Sequence, residues 1–188
     1  MKRSNLARSL LILDLDETLI HALPKENAFP PWDFEATGYV VRKSPGVDTF
    51  LDEIRNVFEE IAVWSTGGSD YVAAVVTQLF PTGYKLAFQW SLDKCTRRHD
   101  LECRYGSSFY HIKKLAKVRP LGWDLSRVLI VDDSPEKLSL NYGNHVLIPA
   151  FLGDSDDAYL AALTCYLKSI ADESNYQKIE KRGWHLHL

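Results

Sequence analysis

The chain has 188 residues, 46% of them hydrophobic and 25% charged, with a net charge of −3. These are the values of a folded chain long enough to bury a real core; they argue against disorder and against a global pull toward nucleic acid or anionic membrane. Three cysteines, Cys95, Cys103 and Cys165, are too few for a secreted disulfide framework, and no stretch reaches the roughly 20 apolar residues of a membrane span. The basic opening residues run into Asp14 without the apolar region of a signal peptide, so a cytoplasmic setting with no membrane partner is expected.

The first pattern is Leu10-Leu11-Ile12-Leu13-Asp14-Leu15-Asp16-Glu17-Thr18. Four apolar residues ending in alternating aspartates predict a strand buried on both faces that delivers acids to the carboxyl edge of a parallel sheet. Residues two apart on extended backbone begin on the same side, so Asp14 and Asp16 can share a metal ion and take different roles. Residues 21–32, with Pro24, Pro30, Pro31 and exposed-looking aromatics, predict an irregular lip. A β-prone stretch at 39–43 is broken by Ser44-Pro45-Gly46. Phe50, Leu51, Ile54, Val57, Phe58 and Ile61 follow at helical spacing.

Residues 61–64 predict a second buried strand, ending at Ser65 and Thr66. Ser69 or Asp70 then caps a helix whose buried face is Val72, Val75, Val76 and Leu79. Short β-like pieces fall near 86–92 and 107–112. Between Lys94 and Arg119 lie eight Lys/Arg residues, a basic rim suited to a phosphorylated macromolecule, with nucleic acid as a second possibility and Arg97 and Arg98 as candidate contacts. Val128-Leu129-Ile130-Val131-Asp132-Asp133-Ser134-Pro135 repeats the form of the first strand. Two such acidic ends in one sheet call for a cation. Residues 146–149 are β-prone, and a helix begun near Asp154 or Ser155 carries Leu160, Leu163, Leu167 and Ile170 on one face. The expected organisation is a single domain, with a core over about 9–172 and a tail over 173–188.

Asp14-Leu15-Asp16-Glu17-Thr18 resembles the DxDxT signature of haloacid dehalogenase superfamily phosphatases, in the branch that dephosphorylates the C-terminal domain of RNA polymerase II and its small-phosphatase relatives. Four blocks match in order: this one, the strand ending at Ser65-Thr66-Gly67-Gly68, Lys113, and Asp132-Asp133-Ser134-Pro135. The resemblance implies an α/β, three-layer Rossmannoid fold with a central parallel sheet and a small β insertion between the second and third blocks. Thr18 to Thr66 spans 48 positions and Thr66 to Lys113 spans 47, which leaves no room for a large cap domain and suits a phosphate displayed on a macromolecule. The small relatives carry Asp-Asn where this chain has Asp132-Asp133. The stretch between Thr18 and Tyr39 is shorter than in the polymerase-tail phosphatases, whose inserted β element forms a pocket for a substrate proline.

The implied function is a Mg2+-dependent phosphomonoester hydrolase acting on phosphoserine or phosphothreonine in proteins. Asp14 is the nucleophile and Asp16 the general acid and base. Asp14, the main-chain carbonyl of Asp16, and Asp133 hold the metal, with Asp132 behind them. The family position favours Thr66 over Ser65, and Lys113 over Lys114, as phosphoryl ligands, with Thr18 and Gly67 beside them. Nucleic-acid ends or small phosphate esters, and a phosphate-recognition module without turnover, are the alternatives. Cys95, His99 and Cys103 have zinc-like spacing but read more simply as thiols near a basic loop, and Trp184 at the tail reads as fraying or docking on the body.

Overall fold

A computed structural model describes residues 7–100 and 108–186. In chain order the strands are β1 (Leu10–Leu13), β2 (Ile20–Pro24), β3 (Phe34–Ala36), β4 (Tyr39–Lys43), β5 (Glu60–Trp64), β6 (Gln89–Trp90), β7 (Thr96–His99), β8 (Phe109–Ile112), β9 (Val128–Asp132) and β10 (His145–Leu147). The α-helices are α1 (Val47–Ile54), α2 (Ser69–Leu79) and α3 (Tyr159–Ile170). The central sheet has five parallel strands in the order β10-β9-β1-β5-β6. Its middle strand is the Leu-Leu-Ile-Leu run, fully buried as a strand covered on both faces must be.

The pleat divides that strand between two cores. Leu11 and Leu13 pack with α1, α2 and α3, through Phe50, Leu51, Ile54, Val72, Val75, Leu163 and Leu167. Leu10 and Ile12 pack on the opposite face with Leu115, Val118 and Leu138. These last residues belong to 3-10 turns, Leu115–Leu121 and Pro135–Leu138, so the third layer is made of short tight turns. Pro120 and Pro135 in those segments remove amide donors that a longer α-helix would need.

The helices differ in length from their periodicity. α1 stops at Ile54 because Ile61, at helical spacing from it, is claimed by β5 beside Leu11. α3 starts at Tyr159 because the aspartates ahead of it turn on their own side chains: the Asp156 amide donates to Asp154 Oδ1 at 2.9 Å and the Tyr159 amide to Asp157 Oδ1 at 2.8 Å. α2 begins at Ser69, with Gly68 as its uncapped N-terminal neighbour and Asp70 in its first turn.

Two small sheets stand apart from the central one. The hairpin β7-β8 is the insertion expected between the second and third blocks. Of the stretch read as an irregular lip, residues 21–24 instead pair in an antiparallel sheet, β2-β4-β3, while 28–32 are irregular and expose Phe29. The strands of this sheet are short and β2 ends on Pro24, which hid their alternation, and pairing with β4 supplies the order. Of the expected tail over 173–188, the described residues include two that dock on the body. Tyr176 is fully buried against Phe58, and Trp184 is 3% exposed, stacked on Tyr166 with its indole donating to Leu147 O at 2.7 Å. Trp184→Ala should therefore cost about 3–5 kcal/mol in urea unfolding, as for a buried aromatic; a loss below about 1 kcal/mol would mean that the segment is not part of the core.

Candidate active site

The sheet register brings the acids together. Leu13 lies opposite Val131, so one further step places Asp14 beside Asp132, and the Asp14 amide continues the ladder by donating to Val131 O at 3.0 Å. The chain then reverses: the amides of Thr18, Leu19 and Ile20 all donate to Leu15 O, and Glu17 takes a left-handed φ of 59°. A non-glycine residue there costs roughly 1–3 kcal/mol and marks a turn that the surroundings hold in place. Asp14, Asp132 and Asp133 each offer a carboxylate oxygen, and these atoms lie within 4.8 Å of one another.

Lys113 enters this cluster with 0% exposure, its ammonium 2.8 Å from Asp14 Oδ1 and 2.5 Å from Asp132 Oδ2. Its backbone is clamped by the Lys113 amide donating to Lys137 O at 2.8 Å and by Asn141 Nδ2 donating to Lys113 O at 2.7 Å. Lys114 points elsewhere and is exposed. The same turn delivers Lys137, which the sequence reading passed over. Its ammonium, 18% exposed, is 3.3 Å from Asp14 Oδ2, 3.7 Å from Asp133 Oδ1 and 4.0 Å from Asp132 Oδ1. Its position four residues after Asp133 was the one available signal.

Electrostatics separates the carboxyls. Burial alone would raise Asp14, but Lys113 and Lys137 more than offset it and hold this carboxyl below the usual range. Asp132 goes the other way, raised by burial and by the Asp14 charge to about 7. Burial also raises Asp16, against hydrogen bonds from Tyr71 and Ser65. Glu17, desolvated and facing Asp16 and Asp133, is raised to about 7.

Ser65, not Thr66, is the hydroxyl that reaches the acids. Its Oγ donates to Asp16 Oδ2 at 3.2 Å and accepts the Gly67 amide at 2.9 Å, and the side chain is fully buried, whereas Thr66 is only half-buried. Thr18 is buried within the turn with its hydroxyl unpartnered. Arg97 and Arg98 lie on the hairpin, where they line a cavity of about 400 Å3 with His99, Tyr110, Ile112 and Ser139. Neither Lys113 nor Asp14, Asp132 or Asp133 lines that cavity. The Arg97 guanidinium sits 3.4 Å over the Phe109 ring.

The zinc-like set does not assemble among the described residues, and Cys103 lies outside them. Cys95 Sγ is spent on Ser65 O and Ser91 O at 3.9 and 4.0 Å, burial raises its thiol, and His99 packs on Phe109. Hard carboxylate oxygens converge instead, and an ammonium already lies against all three, which fits a divalent cation.

The raised Glu17 has a sign that can be tested. The folded state keeps a proton that the unfolded chain loses near 4.5, so this group's contribution is full below that pH and is lost as pH rises through about 7. In the presence of a chelator, Glu17→Gln should raise the thermal midpoint by a few degrees at pH 8, and the gain should vanish toward pH 4.5. An equal gain at both pH values would count against the shift.

Comparison with known proteins gives the family context. The chain is 29% identical to the CTD nuclear envelope phosphatase 1 homolog of Drosophila melanogaster over 96% of its own length and 74% of the relative's. It is 28% identical to the mitochondrial import inner membrane translocase subunit TIM50-A of Drosophila melanogaster, over 86% of this chain and 40% of that protein. The solved structure of Fcp1, an RNA polymerase II CTD phosphatase, superposes with a TM-score of 0.65 at 19% identity, over 87% of this chain and 62% of that one, and bears out the fold. The cytoplasmic expectation is overturned by these relatives, which are named for the nuclear envelope and the mitochondrial inner membrane; composition carries no trace of such an address. No helix among the described residues is long and apolar enough to cross a membrane. The NLI interacting factor-like phosphatase profile matches residues 9–177, and the chain belongs to that family of haloacid dehalogenase-type phosphatases.

Proposed function

We propose that the chain is a Mg2+-dependent protein phosphoserine/phosphothreonine phosphatase working through an aspartyl-phosphate on Asp14. The observation that carries this reading is the split between two neighbouring carboxyls: Asp14 is held ionised by the buried Lys113, while Asp16 is raised toward its protonated form. A nucleophile must be ionised and a general acid protonated at the same pH, and neighbouring acids with opposite shifts meet both needs.

Lys113 and the Leu15 amide hold Asp14 Oδ1, so the carboxylate is oriented before substrate arrives. Asp14 attacks phosphorus and the ester P–O bond breaks. Asp16 gives its proton to the leaving seryl or threonyl oxygen, then takes one from the water that hydrolyses the aspartyl-phosphate and frees Asp14. Lys113, Lys137 and the amides after Ser65, that of Thr66 among them, would hold phosphoryl oxygens, the role expected of Lys113 and of the Thr66 hydroxyl and amide. Asp14, Asp133 and the main-chain carbonyl of Asp16 would hold the cation, with Asp132 oriented behind them by Lys113. When bound, the cation would neutralise charge on the phosphoryl oxygens.

A macromolecular substrate is supported by the names of the phosphatase relatives and by open ground at the site. A cavity of about 570 Å3 lies beside Asp133, lined by Leu138, Tyr142, His145 and Ile148, and a second, with Arg97 and Arg98, lies on the β7-β8 hairpin.

Phosphate release from phosphoserine and phosphothreonine peptides should require Mg2+, disappear with a chelator, and fall at least about 1,000-fold in Asp14→Asn, as expected when the nucleophile is lost. Faster turnover of nucleic-acid 2′-, 3′- or 5′-phosphates than of any phosphopeptide would overturn the protein-substrate reading. Phosphopeptide binding without turnover would overturn the enzymatic one.

A further inference from the structure

We propose that Tyr71 is the positioning residue of the acid step: its phenol fixes the Asp16 carboxyl in the plane from which the proton is delivered. The inference rests on the reading of Asp16 as the general acid. Tyr71 stands in the first turn of α2, and its hydroxyl donates to Asp16 Oδ1 at 2.5 Å. The other oxygen, Oδ2, has only the longer 3.2 Å contact from Ser65. A carboxyl gripped at Oδ1 carries its transferable proton on Oδ2, and the Ser65 hydroxyl can rotate to accept from it.

Three independent features converge on that contact. Gly67 leaves the space the ring occupies: a Cβ there would lie 2.8 Å from Tyr71 Cδ1, closer than real Cβ atoms come. The Gly67 amide in turn donates to Ser65 Oγ, so one loop residue serves both partners of Asp16. On its outer side the Tyr71 ring packs edge-on against Tyr39 of β4, with centroids 5.4 Å apart. The inserted sheet β2-β4-β3 thus supports the acid through one aromatic contact. Gly67, read from sequence as a substrate ligand, gains a second and geometric reason to be glycine.

In the step concerned, the Asp14 oxygen bonds to phosphorus, the ester P–O bond breaks, and the proton on Asp16 passes to the departing oxygen. A leaving group that departs as a stable anion needs little of that proton, and a poor one needs all of it. The test is kcat/KM, which reports formation of the aspartyl-phosphate, for a series of aryl phosphates from p-nitrophenyl to phenyl in Tyr71→Phe. The expected loss is under about twofold on p-nitrophenyl phosphate and about tenfold on phenyl phosphate, part of the roughly 100-fold or more that a general acid supplies. Gly67→Ala, which displaces the ring without removing its hydroxyl, should steepen the series in the same way, with thermal midpoints confirming that both variants fold. Equal losses across the series, or none, in Tyr71→Phe would overturn the inference. Asp16→Asn separates the two failures. If it steepens the series and Tyr71→Phe does not, Tyr71 is not the positioning residue. If Asp16→Asn leaves the series unsteepened, the acid assignment falls and the inference falls with it.

Discussion

The site depends on one buried ammonium. Lys113 sits without solvent between Asp14 and Asp132, where burying any of the three alone would cost several kcal/mol. Together they satisfy one another, because the ammonium has a donor for each carboxylate and both contacts are short. The surrounding fold serves this arrangement. Parallel pairing of β1 with β9 sets the two carboxylates side by side, and the turn after β9 binds the Lys113 backbone from both ends. His145 Nε2, 2.9 Å from Asp132 O, ties β10 to the same point. Without Lys113, Asp14 and Asp132 would be like charges in a low-dielectric interior with Lys137 alone to offset them.

The sequence made the middle of this picture readable and its edges obscure. β1 and β9 are legible because burial on both faces permits only apolar residues until the chain reaches the carboxyl edge, where Asp14, Asp132 and Asp133 stand out. Lys113 was legible through the resemblance alone, since lysine in a β-prone stretch has no periodicity to mark it. β2 and β3 were hidden because each is short and takes its order from β4. Ser65 and Thr66 could not be separated on spacing, since both follow the last strand residue, and the choice depends on how the chain turns after Trp64. Tyr71 had no signal of its own, since the helix was marked by its aliphatic face of Val72, Val75, Val76 and Leu79. Only the approach of α2 to the first turn makes it a partner of Asp16.

The relatives place this architecture in both an enzyme and a translocase subunit, so belonging to the fold does not by itself establish turnover. What distinguishes a working site is the set of interactions that serve chemistry without being needed for packing. Lys113 holds Asp14 ionised, and it also neutralises a buried pair, so it serves both ends. Tyr71 and Ser65 both hold the half-buried Asp16 carboxyl, one on each oxygen. Their convergence on Asp16 is hard to explain as packing and is what a proton donor requires.

The same charges explain why the cluster calls for a cation before it can accept a phosphate. Asp14, Asp16, Glu17, Asp132 and Asp133 face Lys113 and Lys137. Even with Asp16 and Glu17 drawn toward neutrality, three carboxylates face two ammoniums. A phosphomonoester dianion entering such a site meets no surplus of positive charge, and it must approach Asp14, an ionised carboxylate, to react. Lys137 cannot supply the difference, because its charge is already spread over three carboxylates at 3.3 to 4.0 Å. A hard divalent ion held by Asp14 and Asp133 would free that ammonium to turn toward the phosphoryl oxygens. Asp133 fits the same logic, since each added carboxylate strengthens the hold on a cation and Lys137, four residues on, offsets its cost when the site is bare.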